Sequence, residues 1–155
     1  LKLKDLVVVS PDVGGIKMAR AYAKRLSAGL AIVDKRRVSA ESTEAVHILG
    51  NIKNKNILIT DDLISTGSSL IEAIEILFKE GAREIRAAIS HGVLCGLAIE
   101  RINRCKYLKE LMITDSIPLD DSKKHPKIKV LSIAGLLGEA IKRIHNEESV
   151  SSLFD

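Results

Sequence analysis

The stretch ILITDDLISTGSS, residues 57–69, decides the fold class of this sequence. Its first three residues form an apolar run rich in β-branched side chains, which is typical of a strand covered on both faces. Two carboxylates follow, and a turn of hydroxyl-bearing residues with one glycine then opens a helix predicted over residues 68–79. A strand that leads through polar residues directly into a helix indicates the β-α-β unit of a parallel sheet.

The same alternation continues along the rest of the chain. The other predicted elements are strands over residues 6–9, 30–33, 85–89, 111–114 and 129–132 and helices over residues 16–26, 96–102 and 135–144. Gly29 is predicted to close the first helix, and residues 34–44 are predicted to be a long polar loop. We therefore expect one α/β domain over residues 1–155, with a mostly parallel sheet and helices on both of its faces.

Composition excludes several classes of protein. The chain has 155 residues, 46% hydrophobic and 28% charged, which is ordinary globular material rather than a disordered chain. Its apolar runs are far shorter than the roughly 18 to 20 residues of a membrane span. The net charge of +4 is scattered and only 3% of residues are aromatic, which argues against a nucleic-acid partner. Without a secretion signal, Cys95 and Cys105 are expected to be free thiols in a reducing cytoplasm.

Ligands in open α/β sheets bind beyond the carboxyl ends of the strands, so the residues after each strand are the candidate site. Asp61 and Asp62 can accept ribose hydroxyls or support Mg²⁺. The loop formed by Ser65, Thr66, Gly67, Ser68 and Ser69, the hydroxyl loop below, can hold a phosphate with its N–H groups, its hydroxyls and the dipole of the following helix. The alternative is that the acids are turn residues and a hydroxyl caps the helix.

Two further strand ends carry unusual residues. After the first strand, Gly14 and Gly15 can let the backbone approach a pyrophosphate while Asp12 binds a metal ion. After the second strand, residues 34–37 place three cations at the start of the polar loop, as a lid over a transferring phosphoryl group would. A plain turn and a solvated charged surface are the alternatives for these two segments.

At these residues the sequence resembles a known family. Residues 57–69 resemble the phosphoribosyl pyrophosphate loop of type I phosphoribosyltransferase folds, and residues 10–15 and 34–37 resemble the ribose-phosphate pyrophosphokinases. Residues 138–154 are similar to the end of bacterial members. The likeness covers only the second half of the family's chain, and the first residue, Leu1, is not methionine. Both observations suggest that the sequence is a piece of a longer polypeptide.

The resemblance implies a function and a role for each candidate residue. Members transfer the diphosphate of ATP to the 1-hydroxyl of ribose 5-phosphate with Mg²⁺. The resemblance implies that Lys35 and Arg37 are catalytic. It implies that Asp61 binds the ribose hydroxyls, with Asp62 beside it, and that the hydroxyl loop binds the 5-phosphate. Asp12 becomes a Mg²⁺ ligand. The N-terminal half of the enzyme, carrying the adenine-binding residues, is an implied partner, as is a homo-oligomer of the full-length parent.

Three departures from the family pattern keep other functions open. Ser65 stands where many bacterial members have aspartate, Ser68 and Ser69 stand where Gly-Thr is common, and residues 38–41 lack the usual arginine and asparagine. A phosphoribosyltransferase that consumes phosphoribosyl pyrophosphate is one alternative, although we find no segment that would select a base. A regulatory phosphate-binding module that has lost catalysis is the other.

Overall fold

A computed structural model describes residues 3–36 and 45–154 of the chain. Its strands form one seven-stranded sheet in the order β3-β2-β1-β4-β5-β6-β7. The strands are β1 (Leu6–Ser10), β2 (Gly29–Arg36), β3 (Ala45–Leu49), β4 (Asn56–Ile64), β5 (Glu84–Gly92), β6 (Leu108–Thr114) and β7 (Ile128–Leu131), and the helices are α1 (Ile16–Arg25), α2 (Ser68–Lys79), α3 (Ala98–Arg104) and α4 (Ala134–His145). Two single 3₁₀ turns, Asp121–Lys123 and Ser151–Leu153, complete the elements.

Helices cover both faces of this sheet, because alternate residues of each strand point to opposite sides. In β1, Val7 and Val9 belong to the main core cluster, which also holds Leu70, Ile74 and Leu77 of α2 and Ala98 and Ile102 of α3. Val8 packs on the opposite face against Ala19 and Ala23 of α1. Every residue of β1 is buried, as expected for a central parallel strand. The predicted fold class is therefore confirmed.

The helix α2 follows the predicted pattern closely. Its buried residues Leu70, Ala73, Ile74 and Leu77 recur at the three- and four-residue spacing of one helix face, and that face packs on the sheet. The helix ends at Lys79, and Gly81 follows with a positive φ of 89°. Such a glycine after the last turn is a common helix stop because it has no Cβ to clash.

The polar loop predicted over residues 34–44 is partly wrong. The second strand, predicted over 30–33, runs to Arg36, and it pairs with β3, a strand that the sequence analysis did not predict. This pair is antiparallel, with the backbone of Lys35 opposite that of Val46, whereas the other strand pairs of the sheet are parallel. Periodicity missed β3 because its sequence, AVHIL, is neither a continuous apolar run nor a regular alternation of apolar and polar residues.

Two further boundaries also correct the sequence analysis. Asp61 and Asp62 lie within β4, which continues to Ile64, rather than beyond the end of the strand. Gly29 begins β2 and does not close α1, because α1 already ends at Arg25 and a turn at Ser27, with φ 49°, separates the two elements. The strand β4 is longer than its apolar run because β5 pairs with it as far as Ile64.

The predicted helices near the end of the chain are confirmed with small shifts. The helix predicted over residues 96–102 begins two residues later as α3, and the one predicted over 135–144 is α4. No residue of α4 is buried against the described part of the chain. Among the described helices, none is both long and apolar enough to span a lipid bilayer.

Candidate functional site

The sheet order brings the first and third predicted strand ends together. Val9 of β1 lies between Ala31 of β2 and Ile59 of β4 in the register of the sheet. At about 3.3 Å per residue, Asp61 lies roughly 7 Å and the backbone of Lys35 roughly 13 Å beyond that level, at the same carboxyl edge. The candidate residues after these strands therefore meet at one edge of the sheet.

A cavity of about 180 Å³ at this edge, the loop cavity below, joins two of the predicted segments. Asp12 lies at one side of it, Asp61 at another, and all five residues of the hydroxyl loop line it. The apolar lining, which the sequence analysis did not predict, comes from Leu63, Ile64, Leu70 and Ile89. A larger cavity of about 540 Å³ lies near Leu119 and Val130, and its lining contains no carboxylate, so we do not place the chemistry there.

The hydroxyl loop leads into α2 through a left-handed residue. Gly67 has φ 74° and ψ 0°, a conformation that costs glycine little and other residues more. The hydroxyls of Thr66 and Ser68 lie 3.1 Å apart and share a hydrogen bond. No side chain caps the N-terminus of α2, and its first turn holds no acidic residue. The first N–H groups of the helix are thus available to an anion.

Asp61 is the perturbed carboxyl of the site. Burial is the main reason that its pKa lies above the ordinary value, and the nearby charges of Asp62 and Asp12 raise this pKa further. A hydrogen bond from the backbone N–H of Asp62 to Asp61 Oδ1, 3.0 Å long, acts in the opposite direction. The surroundings of Asp61 therefore disfavour its charged form, which a cation or a hydroxyl donor in the loop cavity would stabilise.

Asp12 closes the turn between β1 and α1. Its Oδ1 accepts hydrogen bonds from the N–H groups of Gly14, at 2.7 Å, and Gly15, at 3.0 Å, and its backbone carbonyl accepts one from the Ser10 hydroxyl. A Cβ on Gly15 would lie 2.6 Å from Ser10 Oγ, so a close approach inside the protein explains this glycine. Both glycine N–H groups donate to the Asp12 carboxylate. A pyrophosphate bound at these N–H groups stays a prediction, and it would have to replace Asp12 as their acceptor.

Five candidate residues do not line the loop cavity or are not described, and two of them are Gly14 and Gly15 of the Asp12 turn. Asp62 lies in β4 with an exposed side chain and is absent from the cavity lining. Lys35 lies in β2, and only its backbone is described. Arg37 falls outside the described residues, as does most of the segment predicted to form a lid.

The segment after β5 forms hydrogen bonds to the backbone of the hydroxyl loop. The sequence did not predict this contact. N–H groups of residues 93–95 and the side chain of Arg101 donate hydrogen bonds to carbonyls of residues 64–66. Gly92 and Gly96 frame this segment and were a signal of a tight connection. Nothing in the local pattern indicated which loop it would contact.

Sequence comparisons identify relatives over nearly the whole chain. The profile of the phosphoribosyl synthetase-associated domain matches residues 36–155. The ribose-phosphate pyrophosphokinase of Caldanaerobacter subterraneus subsp. tengcongensis is 51% identical over 150 residues, which is 97% of this chain and 47% of the relative. That of Oceanobacillus iheyensis is 50% identical over 153 residues. The chain spans about half the length of the curated relatives it matches.

Solved structures agree with this relation. The phosphoribosylpyrophosphate synthetase from Mycobacterium smegmatis superposes with a TM-score of 0.85 at 34% identity, over 92% of this chain and 46% of that one. The orotate phosphoribosyltransferase from Aeropyrum pernix, with a TM-score of 0.55 and 19% identity, covers 89% of this chain and 65% of its own and shows a shared fold only.

Proposed function

Because this chain belongs to the ribose-phosphate pyrophosphokinase family, we propose that it is the ribose 5-phosphate-binding part of such an enzyme. In the proposed reaction the 1-hydroxyl of ribose 5-phosphate attacks the β-phosphorus of ATP. The bond from that phosphorus to the AMP oxygen breaks, and phosphoribosyl pyrophosphate and AMP result. The observation that carries the proposal is the loop cavity, which is lined both by the uncapped N-terminus of α2 and by the half-buried Asp61.

The 5-phosphate would bind at the hydroxyl loop. Thr66, Ser68 and Ser69 offer hydroxyl donors there, and Gly67 lets the backbone approach the phosphate closely. The N-terminus of α2 adds the positive end of the helix dipole. Asp61 then accepts hydrogen bonds from the ribose hydroxyls, while Asp62 and Ser65 lie beside them.

Asp12 and Asp61 fit a Mg²⁺ ion that is shared with substrate. They line the same cavity, and the charge of Asp12 contributes to the raised pKa of Asp61. The described residues contain no group of three His, Cys, Asp or Glu side chains that could hold a metal alone. Mg²⁺ commonly uses one or two carboxylates together with water and phosphate oxygens, so two carboxylates suffice. When bound, the ion would neutralise charge on the transferring diphosphate.

Lys35 and Arg37 complete the proposed catalytic set. The backbone of Lys35 lies at the carboxyl edge of the sheet, and we propose that this residue acts on the diphosphate. Gly14 and Gly15 would border the same group. Positive charge is needed there because phosphoryl transfer is catalysed mainly by positioning and by neutralising the oxygens.

The remaining parts of the proposal concern the whole enzyme. We place residues 1–155 in one domain that works with the N-terminal half of the same enzyme, binds ATP across the two halves and forms a homo-oligomer. A cytoplasmic location is part of the proposal, since the reaction serves nucleotide biosynthesis. The relatives named ribose-phosphate pyrophosphokinase are about twice as long as this chain, which supports the part of the proposal that concerns a second half.

Removal of the Thr66 hydroxyl tests the phosphate site. We expect Thr66→Ala to weaken the binding of ribose 5-phosphate by about 1 to 3 kcal/mol, because a hydrogen bond to a charged phosphate is lost. Titration calorimetry measures this affinity. Ser122→Ala is the matched control, since it removes an exposed hydroxyl that bonds Asp120 outside the loop cavity. Equal affinities for Thr66→Ala and the unsubstituted chain would contradict the proposal.

A further inference from the structure

The three consecutive carbonyl groups of residues 64–66 are held by hydrogen bonds. Each accepts a hydrogen bond from the segment that follows β5. The bonds run from Val93 N and Leu94 N to Ile64 O, at 3.1 and 3.2 Å, from Cys95 N to Ser65 O, at 3.0 Å, and from Arg101 Nη1 to Thr66 O, at 2.7 Å. The bond from Arg101 is the shortest of these and the one made by a side chain.

These bonds orient the N–H groups of the loop. In a trans peptide the carbonyl and the following N–H point in opposite directions. A bond that holds Thr66 O toward α3 therefore turns the N–H of Gly67 away from α3. Gly67 lines the loop cavity, and its left-handed backbone permits this orientation without a steric penalty.

The support itself is firmly anchored in the core. Ala98 and Ile102 of α3 are fully buried, so the helix that carries Arg101 is fixed against the sheet. Leu94 is buried although its φ is 47°, a conformation that non-glycine residues keep only where surrounding contacts enforce it. The guanidinium thus reaches the loop from a rigid base, and its positive charge strengthens the bond to the carbonyl.

We infer that Arg101 is a positioning residue, which holds the Thr66–Gly67 peptide so that the hydroxyl loop presents its N–H groups to a phosphate before ligand arrives. This inference rests on the proposed function for its ligand. The bond itself connects residues 35 positions apart, so it also couples α3 to the ligand loop. Presetting the donors lowers the entropy that binding must overcome.

The first measurement is made on the chain without ligand. We expect Arg101→Met, which keeps the stem and removes the donor, to lower the NMR order parameters of residues 66–69 from the rigid range near about 0.85 toward about 0.6. Arg104→Met is the matched control, because this exposed arginine of the same helix pairs, within the described residues, with Glu100 at 2.8 Å. Unchanged order parameters in Arg101→Met would overturn the inference.

The second measurement is ribose 5-phosphate affinity by calorimetry. Arg101→Met should weaken binding on the order of tenfold, as expected for one lost charge-assisted hydrogen bond. Its thermal midpoint should stay close to that of Arg104→Met. Arg101→Lys retains a donor and should recover part of the affinity. Two outcomes for Arg101→Met overturn the positioning role. One is a mobile loop that still binds ribose 5-phosphate with full affinity. The other is a loss of affinity that is accompanied by a matching fall in thermal midpoint.

The two measurements separate this inference from the proposed function. If the unsubstituted chain does not bind ribose 5-phosphate, the proposed function fails, and the order parameters alone decide whether Arg101 fixes the loop. If binding falls in Arg101→Met while the loop stays rigid, the phosphate site stands and Arg101 acts by charge, which overturns its positioning role.

Discussion

At the scale of single residues, the position of Asp61 suits the proposed ligand site better than it suits the stability of the folded chain. Its carboxyl is half-buried beside two like charges, and its pKa is raised chiefly by burial. A carboxyl whose pKa is higher in the folded chain favours folding most below its ordinary pKa, and this contribution is lost as pH rises through the folded value. Above that folded value the ionised Asp61 therefore opposes folding, and a bound cation or sugar hydroxyl would offset that cost.

We predict that Asp61→Asn stabilises the chain at neutral pH and weakens the binding of ribose 5-phosphate. The amide carries no charge, so the gain in free energy of unfolding over the unsubstituted chain should be larger at pH 7 than at about pH 3.5, near the ordinary pKa of aspartate. Urea unfolding at both pH values measures the difference. Glu75→Gln, which removes an exposed carboxyl of α2 outside the loop cavity, is the control. A gain that does not increase with pH would show that burial of Asp61 has no energetic cost.

At the scale of elements, α2 and α4 have similar lengths and opposite relations to the core. Both have 12 residues with apolar side chains on one face. In α2 that face packs on the sheet, and Ile74 is 0% exposed. In α4, Ile141 is 68% exposed, and no residue of this helix is buried against the described part of the chain. Amphipathic pattern alone therefore did not distinguish a core helix from one with an exposed apolar face.

We predict that the same substitution has different effects in the two helices. Ile74→Ala should lower the free energy of unfolding by about 2 to 5 kcal/mol, because it leaves a cavity in the core. Ile141→Ala should change it by less than about 1 kcal/mol, because little buried contact is lost. Urea unfolding of both variants measures the contrast. A loss at Ile141 as large as that at Ile74 would mean that α4 packs tightly in the isolated chain.

At the scale of the whole molecule, the loop cavity sets a limit on what this chain binds alone. Its volume of about 180 Å³ is below the roughly 300 to 1,000 Å³ of pockets that enclose drug-sized ligands. A pentose phosphate is small enough to lie partly in it, whereas ATP needs further surface. The chain spans about half the length of its curated relatives, whose remaining half would supply that surface.

We predict that the 155-residue chain releases no AMP above background from ATP and ribose 5-phosphate with Mg²⁺, while it still binds ribose 5-phosphate. Addition of the N-terminal half of a close relative should restore AMP release. In that restored enzyme, Lys35→Ala should lower kcat by about two orders of magnitude or more, which corresponds to a rise in the activation barrier of about 3 kcal/mol. A coupled AMP assay measures both. Rapid turnover by the chain alone would refute the division of labour between two halves.

The amino-acid sequence by itself determined the features that depend on neighbouring residues. The apolar run at residues 57–59 predicted a strand, and the spacing of Leu70, Ile74 and Leu77 predicted a helix; the structure has both, joined by residues 65–67. These two predictions succeed because strand and helix periods are local properties of the chain. The ligand role of residues 65–69 stays a prediction. The family resemblance added the expected roles of Asp12, Lys35 and Arg37, which stay predictions.

Only the tertiary structure decided which distant segments meet. It placed β1 next to β4, so that Asp12 faces the loop cavity with Asp61, and it paired β2 with the short edge strand β3. It also brought Arg101 to the carbonyl of Thr66. Local pattern cannot specify such contacts, because the order of strands and the docking of helices depend on how the whole apolar surface is buried at once.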